Sequence, residues 1–399
     1  MIVFAACILV FLGYLVLERL RLERARRCVP LRISVTGTRG KSGVTRLIAA
    51  GLRESGVRVL AKTTGSKPVL IFPDGSEKEI PRAGPASICE QVRLVRLAAQ
   101  TGADSLVSEL MSIGPECLAA ESRRILRPTI LALTNVKLDH LEAMGRRKND
   151  IARALASAFP ERADIFIPKE EVYPVFEESA ERITSRLHRV TPSAAVKGDG
   201  EGGPLPLDEF EPNIRLALAI LESLGVCRDT ALRGMGRTAP DFGSLRVWKT
   251  EYGSPPRSAL CLSAFAANDP ESSAAVLQKI KAMVPAGPKS LLGLLCLRED
   301  RGDRTLQWVR AAEAGFFADF ECVAVVGSPA RAAARKLRKD PGLEFAKFSF
   351  FRHPRPAELM NQLVTSAGRE PVVIGFGNIV GPGERFVRHW EETGTPHGR

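Results

Sequence analysis

Seven residues, Thr36-Gly37-Thr38-Arg39-Gly40-Lys41-Ser42, stand between an apolar run at 31–35 and a helical pattern at 43–54. A strand that ends in a glycine-rich loop and opens a helix aims several backbone N–H groups at one point, where the helix dipole already favours negative charge. The arrangement predicts a phosphate-binding loop. Lys41 is placed to neutralise the β and γ phosphates of a nucleotide as a point charge, and the Ser42 hydroxyl to ligate the Mg²⁺ that travels with them. Gly37, Thr38, Arg39, Gly40 and Gly43 complete the nucleotide-binding stretch. Val35 occupies the first glycine position of the general pattern G-x-x-x-x-G-K-[ST], so the match is incomplete and a plain strand-to-helix turn is the competing reading.

The surroundings favour the phosphate loop. Three apolar, β-rich runs of the first half each end in a polar motif: 31–35 leads into the loop, 105–107 into Ser108-Glu109, and 129–133 into Thr134-Asn135. The helical stretches at 42–55 and 85–100 have the length of crossover helices, so the alternation predicts a parallel sheet. Ligands of such sheets bind beyond the carboxyl ends of the strands, and the three motifs are expected to meet in one crevice. Glu109 follows a buried strand, where a carboxylate is costly unless paired or metal-bound.

Further along, a strand is expected at 164–167, a Glu-rich helix near 170–181, a Gly- and Pro-rich linker at 197–206 and a helix at 213–224. Turn residues gather between 234 and 257, which marks a domain boundary. Apolar strands at 259–262, 291–297, 322–326 and 371–374 then build a second, smaller α/β domain. The Arg298-Glu299-Asp300-Arg301-Gly302-Asp303-Arg304 run follows one of these strands. It reads either as a solvated loop or as a substrate-facing segment in which Arg298, Arg301 or Arg304 clamps an acyl phosphate or a polyanion.

The chain has 399 residues, 45% of them hydrophobic, which suits two or three domains with real cores. Its net charge of +12 suits an anionic partner. Nucleic acid is the weakest candidate, because basic residues are dispersed and only 6% of the chain is aromatic. Eight cysteines without metal-type spacing read as buried, reduced thiols.

Residues 1–17 carry no charge, and Arg19, Arg21, Arg24, Arg26 and Arg27 follow against Glu18 and Glu23. Seventeen helical residues span about 25 Å, enough to cross a bilayer if the flanks snorkel. The basic residues follow the apolar segment instead of preceding it, which disfavours a cleaved signal peptide and puts everything after Glu18 on the cytoplasmic side. The expected organisation is a transmembrane anchor at 1–18, a basic juxtamembrane linker at 19–30, an ATP-binding domain at 31–245 and a carboxyl-terminal domain at 246–399. The fold class is α/β: a P-loop parallel-sheet ATPase domain, then a smaller Rossmann-like α/β domain, with an amino-terminal transmembrane helix. The location is a cell membrane, crossed once.

Taken together, Gly37-Thr38-x-Gly40-Lys41-Ser42, Glu109 and Thr134-Asn135-Val136-x-x-Asp139-His140-Leu141-Glu142-x-x-Gly145 resemble the ATP-binding core of the Mur ligase superfamily. Glu211-Pro212-Asn213-Ile214 resembles its asparagine motif, and Ala266-Ala267-Asn268-Asp269-Pro270 its A-x-N-P element. Nearly the whole chain resembles the ligase subunits of poly-γ-glutamate synthases. The resemblance implies an ATP-dependent amide ligase that activates a carboxylate as an acyl phosphate. It implies that Lys41, Glu109 and His140 are catalytic, that Ser42 and Glu109 hold a first Mg²⁺, that His140 helps hold a second metal, and that Asn135 and Asn213 contact ATP. It further implies glutamate and poly-γ-glutamate as substrate and product, and membrane-embedded partner subunits; a homo-oligomer is left open. A ligase for another amino acid or a folate-like acceptor, or a P-loop ATPase scaffold of a membrane complex, are the alternatives.

Departures from the pattern bear on the details. Ser263 stands where the superfamily carries a ribose-binding aspartate, and Lys148 lies closer to His140 than the superfamily's carbamylated lysine does. The phosphate loop begins at residue 36, which leaves no room before it for a domain binding a nucleotide-sugar peptide.

Overall fold

A computed structural model of the chain describes residues 2–65, 68–82, 84, 86–192, 211–238, 245–265, 267–283 and 289–397. It divides into two units, Met1–Asp241 and Phe242–Arg399, just before the boundary expected at 245–246. The linker expected at 197–206 and Ala266 lie outside the described residues.

The first unit begins with one uninterrupted helix, α1 (Ile2–Cys28). None of its most apolar 18-residue stretch is buried, and the helix is long and apolar enough to cross a membrane. The juxtamembrane linker expected from residue 19 is instead the second half of this helix. Leu, Arg, Glu and Ala are good helix formers and nothing breaks the run before Pro30, whose ring disfavours helix at Val29. This half is part of the fold. Leu22, Ala25 and Val29 are buried in the core beside Leu94, Val95 and Ala98, and burial contributes about 1.5–3 kcal/mol for each large apolar side chain. The Arg26 Nη1 donates to the carbonyls of Arg124 and Ile125 at 2.8 and 3.1 Å.

Among the described residues eight strands follow in this unit: β1 (Leu31–Thr36), β2 (Val59–Thr63), β3 (Val69–Ile71), β4 (Glu77–Glu79), β5 (Ser105–Glu109), β6 (Ile130–Leu133), β7 (Asp164–Pro168) and β8 (Arg186–Val190). They form one sheet in the order β4-β3-β2-β5-β1-β6-β7-β8. The strands from β2 to β8 along this order are parallel, and β3 and β4 extend the edge antiparallel. The helices are α2 (Lys41–Glu54), α3 (Cys89–Gln100), α4 (Pro115–Ala119), α5 (Leu141–Met144), α6 (Lys148–Ala156), α7 (Pro174–Arg182), α8 (Glu211–Ser223) and α9 (Arg228–Gly236). A wider-wound turn, Ala120–Leu126, extends α4. The Glu-rich helix expected from 170 begins instead at Pro174, whose fixed φ suits the first helical position.

Central strands apolar on both faces require cover on both sides. Ile33, Val35, Ala61, Val107 and Ala132 pack with residues of α2, α8 and α9. Leu60, Leu106, Leu131 and Leu133 point the other way, to a core shared with α1, α3, α6 and α7. This alternation decides where the polar residues of the strand ends go.

The second unit holds β9 (Arg246–Tyr252), β10 (Arg257–Ser263), β11 (Leu291–Cys296), β12 (Cys322–Val326), β13 (Phe348–Phe351), β14 (Val372–Gly377) and β15 (Thr395–Pro396). The sheet order is β13-β12-β11-β14-β10-β9-β15, parallel from β13 to β10. Between them run α10 (Pro270–Met283), α11 (Gly302–Glu313), α12 (Ala330–Leu337), α13 (Pro356–Ser366) and α14 (Glu384–Thr393). β9 pairs antiparallel with β10, in the stretch where the sequence pattern weakens. Trp248, Thr250 and Tyr252 are buried while Lys249 and Glu251 are exposed, the alternation of a strand wetted on one face.

All eight cysteines are free, but five are exposed, against the expectation of burial. Cys28, Cys89, Cys117 and Cys227 sit at or near helix ends, whereas the buried Cys261 and Cys296 lie inside strands.

Candidate functional site

The three polar motifs end three adjacent strands, β5, β1 and β6. In the register Val35 stands beside Glu109 and Thr36 beside Leu133, so the loop after β1 is flanked by Glu109 on one side and Thr134-Asn135 on the other.

The loop needs its glycines. Gly37 has φ +125°, and a Cβ there would lie 2.1 Å from the Thr134 Oγ1. Gly40 has φ +74°, a left-handed conformation that L side chains resist, and a Cβ would meet the Asn213 Nδ2 at 2.5 Å. Gly40 caps α2 without any side-chain bond, leaving the first-turn N–H groups of Lys41, Ser42 and Gly43 directed at the loop, where an anion is favoured.

Asn135 clamps this shape. Its Oδ1 accepts from the Thr38 Oγ1 at 2.7 Å and the Arg39 N–H at 3.1 Å, and its Nδ2 donates to the Arg39 carbonyl at 3.1 Å. The Thr134 hydroxyl donates to the same carbonyl at 2.6 Å. The Thr38 hydroxyl in turn accepts from the Lys137 N–H at 2.8 Å. Asn135 therefore fixes the curvature of the loop at Thr38 and Arg39. Asn213, on α8 and 4% exposed, backs Gly40 from the other side.

Lys41 lies against the loop, its Nζ donating to the carbonyls of Gly37 at 2.9 Å and Thr38 at 3.4 Å. The Ser42 hydroxyl donates to the Glu109 Oε2 at 2.8 Å, and the Thr64 N–H donates to the same oxygen at 2.7 Å. Glu109 is only 3% exposed. Adjacent oxygens of an octahedral Mg²⁺ shell lie about 2.9 Å apart, so this pair fits neighbouring positions on one hard divalent cation. Among the described residues no group of three or more His, Cys, Asp or Glu could hold a metal.

His140 caps α5 with φ 48°. Its Nε2 is 3.6 Å from the Asp139 Oδ2, which is also 3.4 Å from the Arg39 Nη2 of the phosphate loop. A carboxylate behind an imidazole is a common way of orienting a metal-binding histidine. The Arg39–Asp139 pair, which joins His140 to the loop, carries no local sequence signal.

Beyond it, the Val136 N–H donates to the Glu171 carboxylate at 3.0 Å. Burial pushes the Glu171 pKa up, with the Val136 N–H, Lys137 and Lys148 opposing it. Lys148 begins α6.

The remaining predicted residues belong to the second unit. Arg298 forks onto its neighbour Asp300 at 2.6 and 2.9 Å. Arg301 precedes α11 as its cap residue. Arg304 is 4% exposed and reaches the Asn378 Oδ1 at 3.3 Å, so it faces the interior of its unit instead of serving as an open clamp. Ser263 is wholly buried with no partner for its hydroxyl among the described residues. Asp269 accepts from the Ser272 N–H at 2.9 Å at the start of α10.

Residues 35–194 match the Mur ligase middle domain and residues 250–393 match the poly-gamma-glutamate synthase CapB C-terminal domain. The chain is 27% identical over 395 residues to the PGA synthase CapB of Bacillus subtilis (strain 168), covering 98% of each chain. It is also 27% identical over 390 residues to the capsule biosynthesis protein CapB of Bacillus anthracis, covering 96% of this chain and 81% of that one. Among solved structures, E. coli FolC in complex with DHPP and ADP superposes with a TM-score of 0.64 at 17% identity, covering 94% of this chain and 91% of that one. The bifunctional folylpolyglutamate synthase/dihydrofolate synthase of Yersinia pestis, complexed with AMPPNP and Mn ion, gives 0.66 at 16%, covering 92% and 91%. MurF from Acinetobacter baumannii gives 0.64 at 16%, covering 95% and 80%.

Proposed function

We propose that this chain, which matches the Mur ligase middle domain over residues 35–194 and the poly-gamma-glutamate synthase CapB C-terminal domain over residues 250–393, joins the γ-carboxylate of glutamate to an amino group at the expense of ATP, building poly-γ-glutamate. The observation that carries the reading is the phosphate loop with the Ser42–Glu109 oxygen pair beside it, on adjacent strand ends.

A carboxylate cannot lose oxide to an attacking amine. The γ-phosphoryl of ATP is transferred to the glutamate γ-carboxylate oxygen, giving an acyl phosphate and ADP. The amine of the second glutamate then attacks the acyl carbon, and phosphate leaves as the C–N bond forms. The first-turn N–H groups of α2 and the loop hold the phosphates in line, and Lys41 counters the charge spread over the phosphoryl oxygens in flight. Ser42 and Glu109 would hold a divalent cation, assigned here as Mg²⁺, which would supply neutralisation of phosphate charge. His140, oriented by Asp139, is assigned to a second cation on the acceptor side. Arg298 and Arg301 suit a polyanionic chain.

We assign α1 to a lipid bilayer, with the ATP-handling residues on the cytoplasmic side. Its uncharged half is apolar around its whole circumference, and arginines follow directly. Membrane-embedded partner subunits fit an anchored polymerase.

The test is a reaction of purified protein in membranes with its partners. Glutamate and ATP should give polymer, with one ADP and one phosphate released for each amide bond formed. AMP and pyrophosphate would overturn the acyl-phosphate route, and ATP hydrolysis indifferent to every amino acid would favour a scaffold ATPase.

A further inference from the structure

Beneath the end of β5, on the face away from Ser42, lies a polar cluster that the chemistry above does not use. Lys62 on β2 is 1% exposed, and Gln91 on α3 and Glu121 in the turn after α4 are fully buried. Removing two opposite charges from water costs several kcal/mol per ion before their attraction is counted, so an apolar layer would pack this space at lower cost. What the cluster does is hold backbone.

The Gln91 Nε2 donates to the Glu109 carbonyl at 3.2 Å and to the Glu121 Oε1 at 2.5 Å. The Gln91 Oε1 accepts from the Ser108 Oγ at 3.3 Å and the Lys62 Nζ at 3.5 Å. The Glu121 carboxylate accepts the N–H groups of Met111 at 3.0 Å and Ser112 at 2.9 Å. Lys62 is balanced by Glu90 at 3.0 Å, which Arg82 holds in turn. The segment 108–112 is thus fixed at four points on one face, while the Glu109 side chain points to the other. Lys62 also lies two residues before Thr64, whose N–H holds the Glu109 Oε2. The same cluster therefore pins both strand ends that aim this carboxylate.

We propose that Gln91 and Glu121, with Lys62 bonded to Gln91, are positioning residues that set the Glu109 carboxylate at its working distance from Ser42. The inference rests on the assignment of Glu109 as a cation ligand. Its cause is geometric: a small displacement of a ligand whose partner is fixed by another strand removes the pair from the shell it fits.

Glu121→Gln conserves volume but presents an amide to a site where three donors converge. Two readouts apply. In metal-free protein, hydrogen exchange at the Met111 and Ser112 amides should quicken about tenfold, while the Leu131 amide in β6 stays at its wild-type rate. A fluorescent ATP analogue titrated with MgCl₂ and again with EDTA should lose about tenfold of its Mg²⁺-dependent gain in affinity, with the EDTA value unchanged. Glu121→Asp, which keeps the charge and shortens the reach, should lie between wild type and Glu121→Gln, and it serves if Glu121→Gln does not fold. Unchanged local exchange together with an unchanged Mg²⁺ gain would overturn the proposal. Glu109→Gln separates the two assignments. If that variant keeps the Mg²⁺ gain, the ligand assignment is wrong; if it loses the gain while Glu121→Gln and Glu121→Asp keep it, the positioning role alone is wrong.

Discussion

The Ser42 hydroxyl and the Glu109 carboxylate meet at 2.8 Å although 67 residues separate them in the chain. Ser42→Ala removes one of the two oxygens and leaves the Glu109 carboxylate held by the Thr64 N–H alone among the bonds described. Turnover should fall about 100-fold, with a higher requirement for divalent cation, and Ser42→Thr should restore much of it. Initial rates of ADP formation against MgCl₂ concentration measure this; an unaltered metal dependence in Ser42→Ala would place the cation elsewhere.

On the proposed reading Lys41 serves as a charge and not as a structural strut. Its Nζ bonds only the carbonyls of its own loop, Gly37 and Thr38, among the described contacts. Lys41→Ala should leave the circular dichroism spectrum and melting temperature close to wild type and lower turnover by about 100- to 1000-fold. Activity within a few-fold of wild type would contradict the site.

Gly40 has no room for a side chain. Gly40→Ala must adopt φ near +74° and displace the Asn213 amide, so destabilisation of about 1–3 kcal/mol and weaker nucleotide binding are expected. The double variant Gly40→Ala with Asn213→Ala relieves the clash but not the backbone strain. Urea titration should show it to be only partly recovered.

These residues also mark how far the sequence reaches. The strand, loop and helix around Lys41 are local grammar, and runs apolar on both faces announce buried parallel strands. Glu109 and Thr134-Asn135 were legible for the same reason, since each ends such a run. The clamp that Asn135 places on Arg39, the Arg39–Asp139 pair and the Gln91–Glu121 cluster were not, because each joins segments dozens of residues apart and leaves no periodic trace. β9 escaped for a different reason: turn residues on both sides hide its alternation. The burial of Arg304 was likewise invisible in a run of seven residues, six of them charged.

Glu171 ties pH to stability. Burial raises its pKa in the fold, so between the unfolded and folded values the native state binds more protons and stability falls as pH rises. Glu171→Gln lacks this loss and can still accept the Val136 N–H through its amide oxygen. Its stability relative to wild type should therefore climb with pH above about 4.3 and then level, the two proteins converging in more acid solution. Urea melts between pH 4 and pH 7 would show it, and a pH-independent difference would remove the burial argument.

The anchor helix supplies two deletions with different outcomes. Removing residues 2–17 takes away only exposed apolar surface and should give a soluble, folded, nucleotide-binding protein. Removing residues 2–28 also strips Leu22, Ala25 and the Arg26 bonds to Arg124 and Ile125 from the core, so a loss of about 3–5 kcal/mol or failure to fold is expected. Equal stability of the two truncations would return residues 19–28 to the status of a linker.

Only Val29 and Pro30 separate that helix from β1, and the Arg32 guanidinium ties the carbonyls of Val29, Pro30 and Arg26 to those of Leu126 and Arg127. With its first half in a bilayer, the ATP-handling unit would have no slack leash. It would stand at one height and one tilt above the lipid, so that every round of chain extension delivers the polymer end to the same spot over the membrane.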